Sequence, residues 1–115
     1  MDPYSIFDKP YMKNNLKILL IGGFGTFQKQ LTEMLDEISE VDVVGHIISG
    51  EEAINTYDYL RPDMVLIDII TSGISGLETA RWIKEQNPVI KVIILSSEFN
   101  KEFLTAVVTM GFDGY

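Results

Sequence analysis

Short apolar runs alternate with amphipathic segments along most of this chain. Four runs are continuous enough to predict buried strands: LKILLI (16–21), VDVVGHII (41–48), DMVLIDI (63–69) and KVIILS (91–96). After each run, apolar residues recur at helical spacing. The residues expected to face the core from these helices are Leu31, Met34, Leu35 and Ile38; Ala53, Ile54 and Tyr57; Leu77, Ala80 and Ile83; and Phe103, Leu104, Val107 and Val108. With the start of a fifth strand at 112–115, this order is typical of a parallel sheet covered by helices on both faces.

Local signals mark where these elements begin and end. Ser49 followed by Glu52 forms a capping box that begins the second helix, and Pro62 ends it. Residues 1–15 show no sustained period and hold two of the four prolines. We therefore interpret 1–15 as an N-terminal extension of one domain that covers 16–115.

Composition excludes several classes of function. The chain has 115 residues, no cysteine and a single histidine, His46, which excludes disulfides, thiolate sites and multi-histidine metal centres. Its net charge of −8 argues against direct binding of nucleic acid or an anionic membrane surface. The longest uncharged run, Ile18 to Gln28, is shorter than the roughly 18–20 residues of a membrane-spanning helix. We expect a cytoplasmic protein.

Polar residues follow the predicted strands where a parallel sheet places its ligands. The carboxyl ends of the strands would bring Gly22 and Gly23, Asp68 and Ser96 to one edge. Asp68 ends an apolar strand, which indicates either a nucleophile or metal ligand, or an aspartate that caps the following loop. Ser96 could bind a phosphoryl oxygen, or only backbone.

The glycine-rich turn allows two interpretations. Gly22, Gly23 and Gly25 follow the first strand, as in a phosphate-binding turn, although Gln28 replaces the third glycine of a dinucleotide-binding fingerprint. A small anion- or nucleotide-binding domain that uses Gly22-Gly23-Phe24-Gly25 is therefore one hypothesis, and a simple tight turn is the other. One carboxylate and one serine make no catalytic set, so no enzyme is expected.

From about Leu16 to Tyr115 the sequence resembles the receiver domain of two-component response regulators, most closely the NarL/LuxR type. The resemblance is carried by VDVVGHIISGEEAI, RPDMVLIDI, GLETARWIKEQNP, VIILSS and GFDGY, in the family's order and spacing. It implies a flavodoxin-like, CheY-like fold with strand order 2-1-3-4-5. Relative to that fold, we expect the fifth strand and fifth helix to be truncated or missing.

The resemblance also assigns roles to residues. It implies that Asp68 is the phospho-acceptor and that Ser96 and Tyr115 form the phosphoryl-sensing switch. The acidic pair that normally holds Mg²⁺ is replaced by Gly22 and Gly23, so Asp68 would bind Mg²⁺ weakly, if at all. The Met-Pro that usually follows the acceptor is Thr71-Ser72 here, and the position of the usual lysine, three residues after Tyr115, is not part of this sequence.

These departures predict an atypical receiver. Phosphorylation of Asp68 should be weak or absent, because a metal would normally offset charge on the incoming phosphoryl group. The domain would regulate a transcriptional output through protein–protein contacts. The partner would be a histidine kinase or another signalling protein, and no cofactor is expected beyond weak Mg²⁺. A homodimer is expected as well, because an unpaired strand edge invites pairing.

Overall fold

The computed structural model describes residues 15–25, 28–68 and 76–95. Its elements are β1 (Leu16–Ile21), α1 (Gln28–Asp36), β2 (Val41–Ile47), α2 (Gly50–Leu60), β3 (Met64–Asp68), α3 (Gly76–Gln86) and β4 (Lys91–Leu95). The described strands form one parallel sheet in the order β2-β1-β3-β4. This confirms the predicted doubly wound α/β fold and its strand order as far as β4. The predicted fourth helix and fifth strand lie outside the described residues.

The two faces of the sheet carry separate apolar clusters. One cluster packs under α2 and α3, and its buried members are Leu19, Ile21, Ile47, Ala53, Tyr57, Val65, Ile67, Ala80, Ile83, Ile90, Val92 and Ile94. The buried members of the other are Ile18, Leu20, Phe24 and Leu66, with Leu31 and Leu35 of α1 packed against them. Alternation along β1 and β3 sends neighbouring residues to opposite clusters, as expected for central strands buried on both faces.

The signals that bound α2 act as predicted. The Ser49 hydroxyl accepts a hydrogen bond from the Glu52 N–H at 3.0 Å, which satisfies an otherwise orphan donor of the first turn. At the other end, Arg61 adopts the left-handed region at φ 46° and its N–H donates to the Tyr57 carbonyl. Pro62, which follows, cannot continue the helix.

The prediction for α1 was partly wrong. Leu31 and Leu35 pack on the sheet, but Met34 is 61% exposed and Ile38 is 42% exposed. The helix ends at Asp36, so Ile38 belongs to the connection to β2 and not to the helical stripe. By contrast, the expected inward residues Ala53, Tyr57, Ala80 and Ile83 are all buried, and Ile54 and Leu77 are half-buried.

The pairing of β1 with β2 contains a β-bulge. Ile18 pairs with Val43 but Leu19 pairs with Gly45, so Val44 is an extra residue in β2. An added Cβ on Gly45 would lie 3.2 Å from Leu19 Cδ1 and 3.3 Å from Leu60 Cδ1. Glycine therefore allows the close approach of β2 after the bulge.

Across the part of the chain that the structure describes, no helix is both long enough and apolar enough to cross a membrane.

Candidate functional site

The site is the edge where β1 and β3 end side by side. Ile21, the last residue of β1, pairs with Ile67, and Asp68 ends β3 one residue later. The turn after β1 therefore lies next to the half-buried Asp68 side chain. This confirms that the fold brings Gly22 and Gly23 to the same edge as Asp68.

The turn after β1 has an unusual backbone. Gly22 has φ 113°, Phe24 φ 58° and Gly25 φ 54°, all in a region that L side chains rarely adopt. The Gly22 N–H donates to the Ile47 carbonyl at 2.7 Å, which fixes the start of the turn to β2. Two glycines meet this geometry without steric cost, but Phe24 meets it against its own preference.

Phe24 is held in this conformation from two sides. Its ring is only 6% exposed and packs with Ile18, Leu20 and Leu66. Its backbone N–H donates to Asp68 Oδ2 at 2.9 Å. Hydrogen bonds of an N–H to an ionised carboxylate are about twice as strong as neutral ones. The turn thus places a main-chain donor on the carboxylate that the sequence singled out.

The residues of this edge do not fit the Mg²⁺ site that the family pattern implies. Mg²⁺ takes oxygen ligands, usually one or two carboxylates together with phosphate oxygens and water. Gly22 and Gly23 supply no side chain, and one oxygen of Asp68 already accepts the Phe24 N–H. Among residues 15–25, 28–68 and 76–95, no group of three or more His, Asp or Glu side chains could hold a metal ion.

The anion-binding hypothesis gains no support from this geometry. The Phe24 N–H, which such a turn would offer to a phosphate, donates to a carboxylate instead. That carboxylate also puts negative charge where an anion would have to approach. The Asp68 carboxylate does accept a hydrogen bond from backbone, as a loop-capping aspartate would, and the donor among the described residues is the Phe24 N–H of the turn after β1.

Several predicted site residues lie outside the described part of the chain. Ser96, Tyr115 and the Thr71-Ser72 pair belong to this group. The phosphoryl-sensing roles of Ser96 and Tyr115 stay predictions.

Two residues that shape the turn after β1 were missed by the sequence analysis. Phe24 was treated only as part of the glycine turn, and His46 received no role. The His46 Nε2 lies 2.8 Å from the Gly22 carbonyl oxygen, and its ring centroid lies 5.9 Å from that of Phe24. No local pattern signals these contacts, because residues 22–24 and 46 meet only once β1 and β2 pair.

An aromatic pair lies in the cluster under α2 and α3. The rings of Tyr57 and Trp82 meet edge to face with centroids 5.9 Å apart. Burial raises the pKa of the Tyr57 hydroxyl, and Asp58 adds to the rise, while a hydrogen bond with Asn87 opposes it. Trp82 is half-buried against this cluster.

A carboxylate at the carboxyl end of β3, facing the turn after β1, defines the class as a flavodoxin-like α/β domain with its site at the switch point. The family model for the response regulator receiver domain matches residues 18–115. The chain therefore belongs to the receiver domains of two-component response regulators, which are generally non-enzymatic signalling domains that interact with histidine kinases.

The chain is similar to curated response regulators. The chain is 34% identical over 100 residues to response regulator GacA of Pseudomonas syringae pv. syringae, covering 87% of this chain and 47% of GacA. It is 30% identical over 100 residues to VraR of Staphylococcus aureus strain Mu3, covering 87% of this chain and 48% of VraR. The chain thus spans about half the length of the curated relatives it matches.

Solved receiver structures share the fold. The isolated receiver domain of RcsB from Salmonella enterica serovar Typhimurium, determined with the phosphomimetic BeF3⁻, superposes with a TM-score of 0.77 at 22% identity, covering 86% of this chain and 74% of that one. The response regulator domain of Thermotoga maritima CheB gives 0.76 at 23% identity, covering 88% and 77%. At these identities the likeness concerns the fold alone.

Proposed function

We propose that this domain is an atypical receiver in which Asp68 occupies the phospho-acceptor position but has lost most of its Mg²⁺-dependent reactivity. The domain transmits its signal through protein–protein contacts, with transcription as the output of the whole protein. A histidine kinase or another signalling protein is the partner, and the domain acts in the cytoplasm.

The observation that carries this proposal is the 2.9 Å hydrogen bond from the Phe24 N–H to Asp68 Oδ2. An acceptor aspartate needs its carboxylate free to attack phosphorus and needs positive charge beside it as the phosphoryl group arrives. Here a main-chain donor takes one oxygen, and Gly22 and Gly23 stand at the positions of the acidic pair. The Phe24 N–H supplies partial charge only, so this contact stabilises the acceptor in its resting form and activates it little.

The net charge of this domain supports separate roles for the receiver and for an output domain in the whole protein. A net charge of −8 disfavours contact between this domain and a phosphate backbone. RcsB, whose receiver shares this fold, has been solved bound to promoter DNA. By analogy, DNA contact in the whole protein would come from an output domain, and the receiver would control it. A homodimer is the arrangement we expect, and light scattering at two concentrations tests it.

Intact-mass spectrometry after incubation with acetyl phosphate and Mg²⁺ tests the proposal. We expect slow, substoichiometric addition of one phosphoryl group, with Asp68→Asn as the control that adds none. The receiver domain of GacA, treated in parallel, shows what a relative does under the same conditions. Rapid stoichiometric labelling of Asp68 would refute the atypical assignment, and labelling that persists in Asp68→Asn would refute the assigned acceptor.

A further inference from the structure

The β-bulge in β2 decides which way His46 points. Val43 packs on the cluster that contains Phe24, and Val44 on the opposite cluster. On a regular strand, residues three apart point to opposite faces. His46 lies three residues after Val43 and yet contacts Phe24, because Val44 is an extra residue in the strand. The bulge therefore turns the His46 side chain toward the turn after β1.

His46 makes three contacts, two with the turn after β1 and one with the first residue of α1. Its Nε2 lies 2.8 Å from the Gly22 carbonyl oxygen. Its Nδ1 lies 3.5 Å from Nε2 of Gln28, the first residue of α1. Its ring is tilted by 50° against the Phe24 ring, at a centroid distance of 5.9 Å. The imidazole thus bridges the start of the turn, its buried side chain and the helix that follows it.

We infer that His46 is a positioning residue for Asp68: it holds the Gly22–Gly25 turn in the conformation that presents the Phe24 N–H to the carboxylate. The inference rests on the proposed function only in taking Asp68 as the functional carboxylate. The contacts of His46 are seen in the structure and do not depend on a phospho-acceptor role for Asp68.

The chemistry of the contacts sets the tautomer of His46. A carbonyl oxygen can only accept, so Nε2 must carry the proton that is donated to Gly22. In the neutral ring Nδ1 is then an acceptor, and the Gln28 amide N–H₂ group supplies a donor on that side. A ring with these two partners cannot rotate freely, so it fixes the Gly22 carbonyl.

A fixed Gly22 carbonyl matters because the turn is not a preferred backbone conformation. Gly22, Phe24 and Gly25 all have positive φ, and Phe24 is disfavoured there. Such conformations persist where surrounding contacts over-determine them. In this turn those contacts are the Gly22 N–H to Ile47, the His46 bond to the Gly22 carbonyl, and the packing of Phe24.

Amide hydrogen exchange of Phe24, measured by NMR, separates positioning from general packing. His46→Leu keeps an apolar side chain but loses the donor to Gly22. His46→Gln keeps a donor at a similar reach. Val44→Ala is the matched control, because it loses packing on the same strand but on the opposite face of the sheet. The Ile67 amide, in the interior strand β3, reports global stability.

We expect His46→Leu to accelerate exchange of the Phe24 amide by about tenfold more than that of Ile67, as for loss of one hydrogen bond, and His46→Gln to restore it to within about threefold of wild type. Val44→Ala should accelerate both amides alike. Equal acceleration of Phe24 and Ile67 in His46→Leu would overturn the inference and leave His46 with packing alone. Failure of His46→Gln to restore Phe24 would overturn the role of the Gly22 bond.

A wild-type measurement keeps the inference testable if His46→Leu does not fold. Long-range imidazole correlations at about pH 8, where free imidazole is neutral, identify the protonated ring nitrogen. The Nε2–H tautomer is expected, and an Nδ1–H tautomer would overturn the inference. Acetyl phosphate labelling of the same samples reports on the proposed function separately. Rapid labelling of wild type refutes that function and leaves the exchange result standing.

Discussion

Two aspartates lie at opposite ends of β3. Each accepts a hydrogen bond of the same length from a backbone N–H, one in β1 and one in the turn after β1. At the amino end, Asp63 Oδ2 accepts from the Lys17 N–H at 2.9 Å. At the carboxyl end, Asp68 Oδ2 accepts from the Phe24 N–H, also at 2.9 Å. The bonds are alike, but the backbones that supply them differ.

The donor for Asp63 lies in a regular strand. Lys17 is part of β1, and its carbonyl accepts the Asp63 N–H in return at 2.8 Å, so this pair closes the edge of the sheet. The donor for Asp68 lies in a turn with three positive φ angles. Positive φ costs about 1–3 kcal/mol at a residue other than glycine, which here is Phe24, and such conformations cluster at functional sites. The conformation of the donor backbone, and not the hydrogen bond itself, therefore distinguishes Asp63 from Asp68, the proposed acceptor.

Restoring one carboxylate should have the largest effect, and only at the Asp68 end. An added Cβ at Gly23 has nothing within 4 Å, and Gly23 has no positive φ. We expect Gly23→Asp to raise the rate of Mg²⁺-dependent labelling of Asp68 by about tenfold or more, because a metal held there stabilises the phosphoryl group by several kcal/mol. Intact-mass kinetics measure the rate, and calorimetry measures Mg²⁺ binding.

Gly23→Asn is the matched control, since it has the same size and no charge. It should label at the wild-type rate. Equal rates for the Asp and Asn variants would show that the missing carboxylate is not what limits Asp68.

The positive φ of Gly22 predicts the second-largest effect, a loss of stability when this glycine is replaced. Gly22 is buried at φ 113°, so Gly22→Ala should lower the free energy of unfolding by about 1–3 kcal/mol. Urea denaturation measures the change. Gly23→Ala, one residue away in open space, should change it by less than about 0.5 kcal/mol. If both substitutions lower the free energy of unfolding equally, the backbone at Gly22 does not require glycine, and the contrast with Asp63 loses its basis.

Replacing Asp63 and replacing Asp68 should have different effects on the Phe24 amide and on labelling. Asp63→Ala should lower the free energy of unfolding by about 0.5–1.5 kcal/mol, because a backbone hydrogen bond at an exposed position is lost. It should leave the Phe24 amide resonance unmoved. Asp68→Ala should shift that resonance and abolish labelling. A shift of Phe24 in Asp63→Ala would mean that the two ends of β3 are coupled.

The smallest predicted effect is a loss of stability at alkaline pH that arises from Tyr57. Burial raises the pKa of Tyr57 above its ordinary value of 10.0, so the unfolded chain loses this proton first. Its contribution to stability is complete below that value and is lost as the pH rises through the raised pKa of the folded state. Denaturation between about pH 9 and 12 should show this loss, and Tyr57→Phe, which keeps the ring beside Trp82, should reduce it. An unchanged slope in the variant would assign the loss to other groups.

Much of the fold could be predicted from the sequence because its signals are local. Apolar runs and helical spacing located every element that the structure describes, and the ends of the four strands lie within one residue of the predicted runs. At α1 the predicted stripe included Ile38, which lies beyond the end of the helix, because spacing alone does not say where a helix stops. It also included Met34, which lies within α1 but is exposed.

The candidate site divides in the same way. The position of Asp68 at a strand end, and the absence of carboxylates at Gly22 and Gly23, follow from the order of the residues. What the turn does could not be read from it. The same Gly-Gly-Phe-Gly segment is compatible with binding an anion or with forming a simple tight turn, and both interpretations were open.

By itself, the sequence determined the order of strands and helices, the parallel sheet they form, and the residue that ends β3 at the switch point. Tertiary structure decided that the Phe24 N–H meets Asp68 and that His46 meets the turn. The first contact requires β1 beside β3 and positive φ at Phe24. The second requires one extra residue in β2 that reverses the face of every residue after it. Such contacts depend on pairing between distant segments, which no local pattern encodes.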